Sequence, residues 1–381
     1  MDIISREEVR DKIGEIREAD ILVGIPSFNN ARTIGHVVSA VQAGFAKYFP
    51  NRKCVLVNSD GGSADGTAEI VQNTSLVDFQ SILIRHRTEQ VFKITTPYHG
   101  IPGKGSAFRT IFEIARALNA KACAVVDSDL RSITPEWVEL LIKPLIEGDC
   151  DYVSPLYHRH KYDGTITNGI IYPLTRALYG KRIRQPIGGD FGFSGRLASY
   201  FLTKEVWETD VARYGIDIWM TTTAIANDFK VSQAFLGAKI HDPKDPGGDL
   251  SEMLYQPVQV NLDRMISKFS LGVEELEPIW RGFLSEKIMD VLKSPRRMTK
   301  EDFHIADDVW VEIICSFAIA AHKGAINKVH LLKSLTPLYI GRTASFVRET
   351  WESDAAEVES KIEGLCRLFE EEKPFLLENW E

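Results

Sequence analysis

The chain has 381 residues, of which 44% are hydrophobic and 26% are charged, so it can bury one large core or two smaller ones. Its formal net charge of -8 argues against the basic surface that nucleic-acid-binding proteins usually carry. We therefore expect an ordinary globular protein without a nucleic-acid partner.

Cysteine usage and hydropathy indicate the compartment. The cysteines are odd in number, scattered and mostly set among apolar neighbours, which predicts buried reduced thiols. Residues Met1 to Arg10 show no basic region followed by an apolar core, so we expect no secretory signal. The longest apolar helical stretch, Ile313 to Ala321, is shorter than the roughly 18 residues that cross a bilayer. These patterns predict a cytoplasmic protein without stable membrane insertion.

Between Asp20 and about Pro155, short β-branched runs alternate with helical segments, which is the βαβ rhythm of an α/β fold. The predicted strands are Ile21–Ile25, Cys54–Val57, Ser81–Ile84, Ala122–Val126 and Tyr152–Ser154. The predicted helices are Thr33–Phe49, Gly66–Gln72, Gly105–Leu118 and Pro135–Glu147. Ligands of such open sheets gather at the carboxyl ends of the strands.

The rest of the chain has a different pattern. Glycine-rich turns at Gly188 and Gly192, a helix near Ile216–Asn227 and a strand over Val231–Ile240 predict an acceptor-binding half. After about Ser251 strand signals vanish and apolar residues recur at helical spacing. We therefore predict a sugar-nucleotide-binding half over 1–155, an acceptor-binding half over 156–250 and a helical C-terminal extension over 251–381.

The tripeptide Asp127-Ser128-Asp129 directly follows the apolar run that predicts the fourth strand. Two carboxylates delivered at a strand end suit a hard cation such as Mg²⁺ or Mn²⁺ and the hydroxyls of a nucleotide. The structural alternative is a polar strand end that caps the helix beginning at Thr134-Pro135.

Two further loops stand at strand ends. The turn that contains Pro26, Ser27 and Asn29 leaves backbone amides open to a ligand, and Asp60 precedes a glycine-rich loop. The second loop does not match an EF-hand, because Gly62 takes the third ligand position. Either loop, taken alone, is also explained as an ordinary strand-to-helix connection.

Gly103-Lys104-Gly105 opens the next predicted helix and joins a mobile cation to unhindered backbone, which suits a pyrophosphate. It is not a Walker loop, because Tyr98 stands where the first glycine belongs. His241 follows the last predicted strand and is a candidate third ligand for the cation at Asp129. The alternatives are a solvated lysine in a turn and a histidine that only packs.

Taken in chain order, these loops resemble the sugar-nucleotide half of glycosyltransferases with the GT-A fold, a Rossmann-like nucleotide-binding fold. The second half, including Gln185-Pro-Ile-Gly-Gly-Asp190, Tyr214-Gly-Ile-Asp217 and Ile240-His241-Asp, is similar to retaining synthases of glucosylglycerate, mannosylglycerate and glucosyl-3-phosphoglycerate. The likeness covers nearly the whole chain, and it implies a GT-A fold with a C-terminal α-helical extension.

The resemblance implies a role for each candidate. Pro26 and Ser27 would line the base and ribose pocket, and Asp60 would hold the uracil or guanine edge. Lys104 would contact the diphosphate, and Asp127 would contact ribose or bound water. The ligands of Mg²⁺ or Mn²⁺ would be Asp129 and His241. The remaining donor-site candidates are Asn29, Gly103, Gly105 and Ser128.

The acceptor is expected to be glycerate or 3-phosphoglycerate, and the donor UDP-glucose, GDP-glucose or GDP-mannose. Hydrogen-bond donors and positive charge for the acceptor's carboxylate or phosphate would come from Thr165, Thr167, Asn168, Arg182 and Arg184. The two arginines are also explained as a solvated basic turn. Asp190 and Asp217 would hold sugar or acceptor hydroxyls, or cap helices, and either becomes the candidate base if the enzyme inverts.

Three alternatives remain open at the level of the sequence. An inverting transferase to polyprenyl phosphate would need an amphipathic membrane anchor, which the sequence does not show. A sugar-1-phosphate nucleotidyltransferase would need a glycine-rich, arginine-containing loop near the first strand. A non-catalytic sugar-nucleotide sensor would not need the Asp127-Ser-Asp129 and His241 set. The helical tail has two candidate uses, closing over the acceptor or forming a homodimer surface.

Overall fold

The computed structural model describes residues 7–74, 92–97, 103–241, 258–294, 302–324 and 326–380. The chain forms two compact units. The α/β unit comprises Met1–His158 with Ile183–Asp242, and the helical unit comprises Arg159–Arg182 with Pro243–Glu381. The sequence predicted divisions at 155 and 250. In the structure, residues 159–182, which fall in the predicted acceptor-binding half, belong to the helical unit.

The strands are β1 Ile21–Ser27, β2 Cys54–Asp60, β3 Phe92–Pro97, β4 Ala122–Val125, β5 Tyr152–His158, β6 Phe191–Ser194 and β7 Val231–Ala238. The α-helices are α1 Glu7–Ile16, α2 Ile34–Tyr48, α3 Thr67–Asn73, α4 Lys104–Ala117, α5 Pro135–Ile146, α6 Tyr172–Tyr179, α7 Gly195–Leu202, α8 Ile216–Ala226, α9 Val258–Trp280, α10 Glu286–Lys293, α11 Asp307–Lys323, α12 Lys328–Glu349 and α13 Ala355–Glu378. Two π-helical turns cover Thr167–Ile171 and Val211–Gly215.

Within the described residues, the strands of the α/β unit form one sheet in the order β3-β2-β1-β4-β6-β5-β7. The first four of these strands in space are parallel, whereas β6 runs antiparallel to both β4 and β5. The carboxyl ends of β1, β2 and β4 therefore lie side by side at one edge. The predicted α/β class is confirmed by this mixed, mainly parallel sheet.

The sequence explains why β1, β2 and β4 form the middle of the sheet. All the residues of these strands are buried, as expected for parallel strands that are covered on both faces by helices. Helices α2 and α5 pack on one face around Val38 and Trp137, and α4 packs on the other around Phe112. The five cysteines are free and buried, as predicted.

Two strands differ from the prediction. The expected strand Ser81–Ile84 lies outside the described residues, and the strand paired with β2 is Phe92–Pro97. The short strand β6 was not predicted, because Phe-Gly-Phe-Ser has too few residues to show alternation. It is defined by antiparallel pairing with β4, a long-range contact.

The helical unit has its own core, in which Phe269, Trp280 and Trp310 are fully buried. Helices α9 and α12 approach closely at Gly272, where a Cβ atom would meet the Pro337 side chain at 2.3 Å. Asp354 begins α13 with a capping box that also uses Glu357. Among the described helices, none is long and apolar enough to cross a membrane.

Candidate functional site

The loop after β2 is organised by Asp60. Its carboxylate accepts hydrogen bonds from the Ser27 hydroxyl at 2.8 Å and from the backbone amides of Gly62 and Ser63 at 2.9 and 2.7 Å. The Ser63 hydroxyl donates a further bond at 2.7 Å. Pro26 lies inside buried β1, opposite Ser59 of β2. The carboxylate thus joins the ends of two neighbouring strands and fixes the loop between them.

The loop after β1 is tied to both of its neighbours. Asn29 has a φ of +53°, in the left-handed region that asparagine tolerates, and its side-chain oxygen accepts from the Ala64 amide at 3.0 Å. Asn30 accepts a hydrogen bond from the Ser128 hydroxyl at 2.7 Å. The hydroxyl of Thr33 donates to the Ser128 carbonyl at 2.8 Å. Three strand ends predicted to form the donor site therefore share one hydrogen-bond network.

Asp127, at the end of β4, lies between two lysines. Lys104 Nζ is 2.7 Å from one carboxylate oxygen of Asp127, and Lys239 Nζ is 2.7 Å from the other. Lys104 also lies 3.5 Å from a carboxylate oxygen of Asp217, at the start of α8. The structure thus brings three of the predicted residues together with Lys239, which was not predicted.

Asp190 lies behind this group and is completely buried. One of its oxygens accepts a hydrogen bond from the Asp127 amide at 2.8 Å, and the other is 2.7 Å from Lys239 Nζ. The Tyr157 hydroxyl donates to the same second oxygen. Both oxygens are occupied within the protein, so Asp190 fixes the position of its neighbours in this structure.

The two lysines remain ammonium groups. Burial alone would lower the pKa of Lys104, but the carboxylates of Asp127 and Asp217 outweigh it and raise the pKa above its ordinary value. The pKa of Lys239 is raised in the same way by Asp127 and Asp190, against the effects of burial and of the Lys104 charge. The strand end therefore holds two ammonium groups beside the acidic side chains of Asp127, Asp190 and Asp217, and burial raises the pKa of Asp190 above its ordinary value.

Three glycines are required here by close approach. Gly189 has a φ of +82°, and a Cβ atom there would lie 2.1 Å from an Asp127 oxygen. Cβ atoms at Gly103 and Gly105 would meet the backbone of Ala212 at 2.6 and 2.5 Å. The predicted reason for the last two glycines was access for a ligand. The structure shows a packing reason, which is contact between the start of α4 and the π-helical turn.

The two predicted metal ligands lie on adjacent segments. Leu130, next to Asp129, forms an antiparallel bridge with His241. The Arg131 amide donates to the Ile240 carbonyl at 2.8 Å, which holds the two segments in register. Asp129 is buried and His241 is exposed. Among the described residues, no group of three or more histidine, cysteine or acidic side chains is arranged to hold a metal.

The predicted acceptor residues are divided between the units. Thr165 and Asn168 line a pocket of about 440 Å³ in the helical unit, measured with its open mouth. The Thr165 hydroxyl is 2.5 Å from the Tyr339 hydroxyl, and the Asn168 amide donates to the Asp163 carbonyl at 3.3 Å. Thr167 is buried in the first π-helical turn.

The two predicted arginines lie on either side of the division between the units. Arg182 is exposed in the helical unit, where burial would raise the pKa of Glu363 but Arg176, with a smaller contribution from the Arg182 charge, lowers it. Arg184 belongs to the α/β unit, and its backbone amide donates to the Gln233 side chain at 2.7 Å.

Sequence reasoning missed Lys239 and Tyr157. A signal for Lys239 was present, because it stands two residues before His241 and alternate residues of an extended segment share one side. No comparable signal marked Tyr157, whose role depends on its contact with Asp190 across 33 residues of chain.

Residues 22–207 match the sequence model of Glycosyl transferase family 2. The matched span runs from β1 to beyond α7 and contains Asp60, Lys104, Asp127 and Asp190. Together with the sheet order, this match defines the α/β unit as a GT-A glycosyltransferase domain. The protein is a glycosyltransferase, as the resemblance predicted.

Among related proteins, the chain is similar to glucosyl-3-phosphoglycerate synthase from Petrotoga mobilis, with 26% identity over 282 residues, 69% of this chain and 79% of the relative. Similar solved structures include the enzyme of that name from Mycobacterium tuberculosis. Its complex with Mn²⁺, UDP and glucosyl-3-phosphoglycerate is 22% identical, covers 67% of this chain and 83% of that one, and has a TM-score of 0.46. Its complex with Mn²⁺, UDP-glucose and phosphoglyceric acid is 21% identical with the same coverage and a TM-score of 0.45.

Proposed function

We propose that this glycosyltransferase moves glucose or mannose from a nucleoside diphosphate sugar to a hydroxyl of glycerate or 3-phosphoglycerate, and that the anomeric configuration is retained. The observation that supports the proposal most is the pairing of Lys104 with Asp127 at the carboxyl end of a central strand. The name of the Petrotoga mobilis relative supports the choice of donor and acceptor class.

The donor's base and ribose would bind across the joined loops after β1 and β2. Asp60 fixes these loops by accepting hydrogen bonds on both carboxylate oxygens, from Ser27 and from the loop of Gly62 and Ser63, and its proposed contact with the base edge would add to these bonds. The Asn29 side chain accepts from the Ala64 amide, and the Ser128 hydroxyl donates to the Asn30 side chain, so their part is to keep the pocket in shape. In this proposal Asp127 contacts the ribose or bound water, and Lys104 contacts the diphosphate.

Asp129 and His241 are the side chains that would hold Mg²⁺ or Mn²⁺. A carboxylate and an imidazole suit these cations, and magnesium sites usually combine few protein ligands with substrate phosphates. The absence of a larger acidic or histidine cluster among the described residues fits such a shared site. A bound divalent ion would neutralise negative charge on the leaving diphosphate.

In the reaction, the bond between the anomeric carbon and the β-phosphate oxygen breaks, and the acceptor hydroxyl oxygen bonds to the same carbon. The proton of that hydroxyl passes to an oxygen of the departing phosphate, so no separate carboxylate base is needed. The ammonium group of Lys104 stabilises the departing phosphate and can do so because its pKa is raised.

Asp190 takes a positioning role in this proposal, because it is fully buried and both its oxygens already accept hydrogen bonds. Asp217 is partly exposed and 3.5 Å from Lys104, which suits a contact with sugar or acceptor hydroxyls. If the product were inverted, Asp217 would be the better placed base of the two. The stereochemistry of the product separates these mechanisms.

The proposed contacts for the acceptor's anionic group remain separate candidates in each unit, namely Thr165, Thr167, Asn168 and Arg182 in the helical unit and Arg184 in the α/β unit. Arginine suits a carboxylate or phosphate because its planar guanidinium group can donate two parallel hydrogen bonds to two oxygens of that group. The test is a variant of each arginine assayed with glycerate and with 3-phosphoglycerate. If an arginine contacts the phosphate, its substitution should raise KM for 3-phosphoglycerate and leave KM for glycerate unchanged.

The experiment that tests the function is a matrix of UDP-glucose, GDP-glucose and GDP-mannose against glycerate and 3-phosphoglycerate, with Mg²⁺ or Mn²⁺, read by product mass. We expect one product whose mass is that of the acceptor plus one hexosyl group. Nucleotide binding without acceptor-dependent diphosphate release would contradict transfer and favour a sugar-nucleotide sensor.

A further inference from the structure

Lys239 stands at the end of β7, and its ammonium group contacts three acceptors. These are the second carboxylate oxygen of Asp127, one oxygen of Asp190 and the Gly188 carbonyl, each at 2.7 Å. The side chain is 6% exposed, so it is less accessible than Lys104 at 29%. A substrate group therefore has far better access to Lys104 than to Lys239.

The two lysines divide the oxygens of Asp127 between them. Lys104 takes Oδ1 and Lys239 takes Oδ2, so the carboxylate is neutralised from both sides. If Lys104 moves onto a diphosphate, Asp127 loses one of these cations. A largely buried carboxylate left without a cation is strongly unfavourable. Lys239 reduces this energetic cost, because its ammonium group stays bound to Oδ2 of Asp127 when Lys104 leaves.

We propose that Lys239 is a positioning residue of the donor site, which holds Asp127 in place and thereby leaves Lys104 available to the diphosphate. This inference rests on the proposed function, since it assumes that Lys104 binds the donor's diphosphate. Lys239 itself does not touch the substrate. Its effect is on donor affinity and on turnover, and the acceptor's KM does not depend on it.

A substitution of Lys239 alone would also leave Asp190 buried without its cation, so the variant Lys239→Met does not separate weaker donor binding from loss of folding. The decisive variant is therefore the double substitution Asp190→Asn with Lys239→Met. It removes one acidic and one basic side chain that contact each other, so neither partner is left buried alone. The reference for this variant is Asp190→Asn alone, and Lys47→Met is a matched control for loss of a paired lysine, since Lys47 lies 2.7 Å from Glu136.

The probes are UDP and GDP, measured by calorimetry with each protein in the presence of Mn²⁺, and kinetics follow with the sugar nucleotide that the wild type uses. We expect the double variant to bind the nucleotide about tenfold or more weakly than Asp190→Asn, because Lys239 then no longer holds Asp127 when Lys104 moves to the diphosphate. The donor's KM should rise and kcat should fall, with the acceptor's KM unchanged. Lys47→Met should bind like the wild type.

Circular dichroism and thermal unfolding establish that the double variant is folded before binding is compared. Nucleotide affinity equal to that of Asp190→Asn in a folded double variant would overturn the role of Lys239. Equal increases in the KM of donor and acceptor would also overturn it, since they would indicate a general structural effect. If the wild type binds neither UDP nor GDP, the proposed function fails instead, so the two failures are distinguishable.

Discussion

Gly189 and Asp127 approach so closely that a Cβ atom at Gly189 would lie 2.1 Å from Oδ2 of Asp127. The same Cβ atom would lie 2.9 Å from Lys239 Nζ. Gly189 also has a φ of +82°, which side chains other than glycine rarely adopt. The absence of a side chain at Gly189 therefore sets the position of the carboxylate and of its second cation.

Gly189→Ala should consequently reduce turnover by about 10² because the carboxylate must move by roughly an ångström. The matched control is Gly148→Ala, where φ is +79° and nothing lies within 4 Å of the added Cβ atom. That control should lose about 1 kcal/mol of stability from backbone strain and keep its activity. Steady-state kinetics and thermal unfolding of both variants make the comparison. Similar activity in the two variants would mean that close packing at Gly189 is unimportant.

The sequence predicted the central strands well, and the reason is local. Strands β1, β2 and β4 are short apolar runs that alternate with amphipathic helices, so their pattern can be read without knowledge of their neighbours. The polar residues at their ends follow from the same reading, because the ends of parallel strands meet at one edge. Asp60 and Asp127 were placed at this edge of the sheet in this way.

The features that the sequence did not predict depend on contacts between distant parts of the chain. Strand β6 is defined by its pairing with β4, and Lys239 gains its role only when β7 lies near Asp127, 112 residues earlier. Likewise, the burial of Asp190 could not be read from the polar residues around it. Periodicity describes single elements, whereas these properties belong to pairs of elements.

Lys104→Met tests the cation that is proposed to face the diphosphate. We expect kcat to fall by about 10² to 10³, the usual effect of removing one donor that stabilises a leaving group. Asp127 keeps Lys239 as a cation in this variant, so the protein should fold. The control is Lys121→Met, which removes an exposed lysine paired with Asp20. Turnover within about threefold of the wild type would exclude contact between Lys104 and the leaving group in the transition state.

The proposed metal site predicts a dependence of metal binding on nucleotide. Asp129 and His241 supply only two ligands, so Mn²⁺ alone should bind weakly, and UDP or GDP should strengthen binding by about tenfold or more. Electron paramagnetic resonance titration of free Mn²⁺ measures both affinities. Asp129→Ala should remove the nucleotide-dependent part. The exposed Asp149 provides the control variant Asp149→Ala. Tight Mn²⁺ binding to Asp129→Ala with UDP would place the metal elsewhere.

The helical unit contains a buried ion cluster that predicts how its stability depends on pH. Burial would raise the pKa of Glu349, but the charges of Arg342 and Lys361 outweigh it and hold the pKa below the ordinary value of 4.5. Glu349 lies 3.1 Å from Arg342 and 2.5 Å from Lys361, and Arg342 also pairs with Asp307. The folded helical unit therefore binds fewer protons at this carboxyl group than the unfolded chain does.

The contribution of Glu349 to stability should thus be fully present above about pH 4.5 and should disappear as the pH falls through the lower, folded-state pKa. Glu349→Gln should lower the free energy of unfolding by about 3 kcal/mol near pH 7, because it leaves buried cations with fewer partners. The stability of this variant should also fall less steeply than that of the wild type as the pH is lowered. Urea unfolding followed by circular dichroism between pH 3 and 7 measures both effects, with exposed Glu352→Gln as the control. A constant difference between Glu349→Gln and the wild type over this range would show that the carboxylate's charge does not stabilise the helical unit.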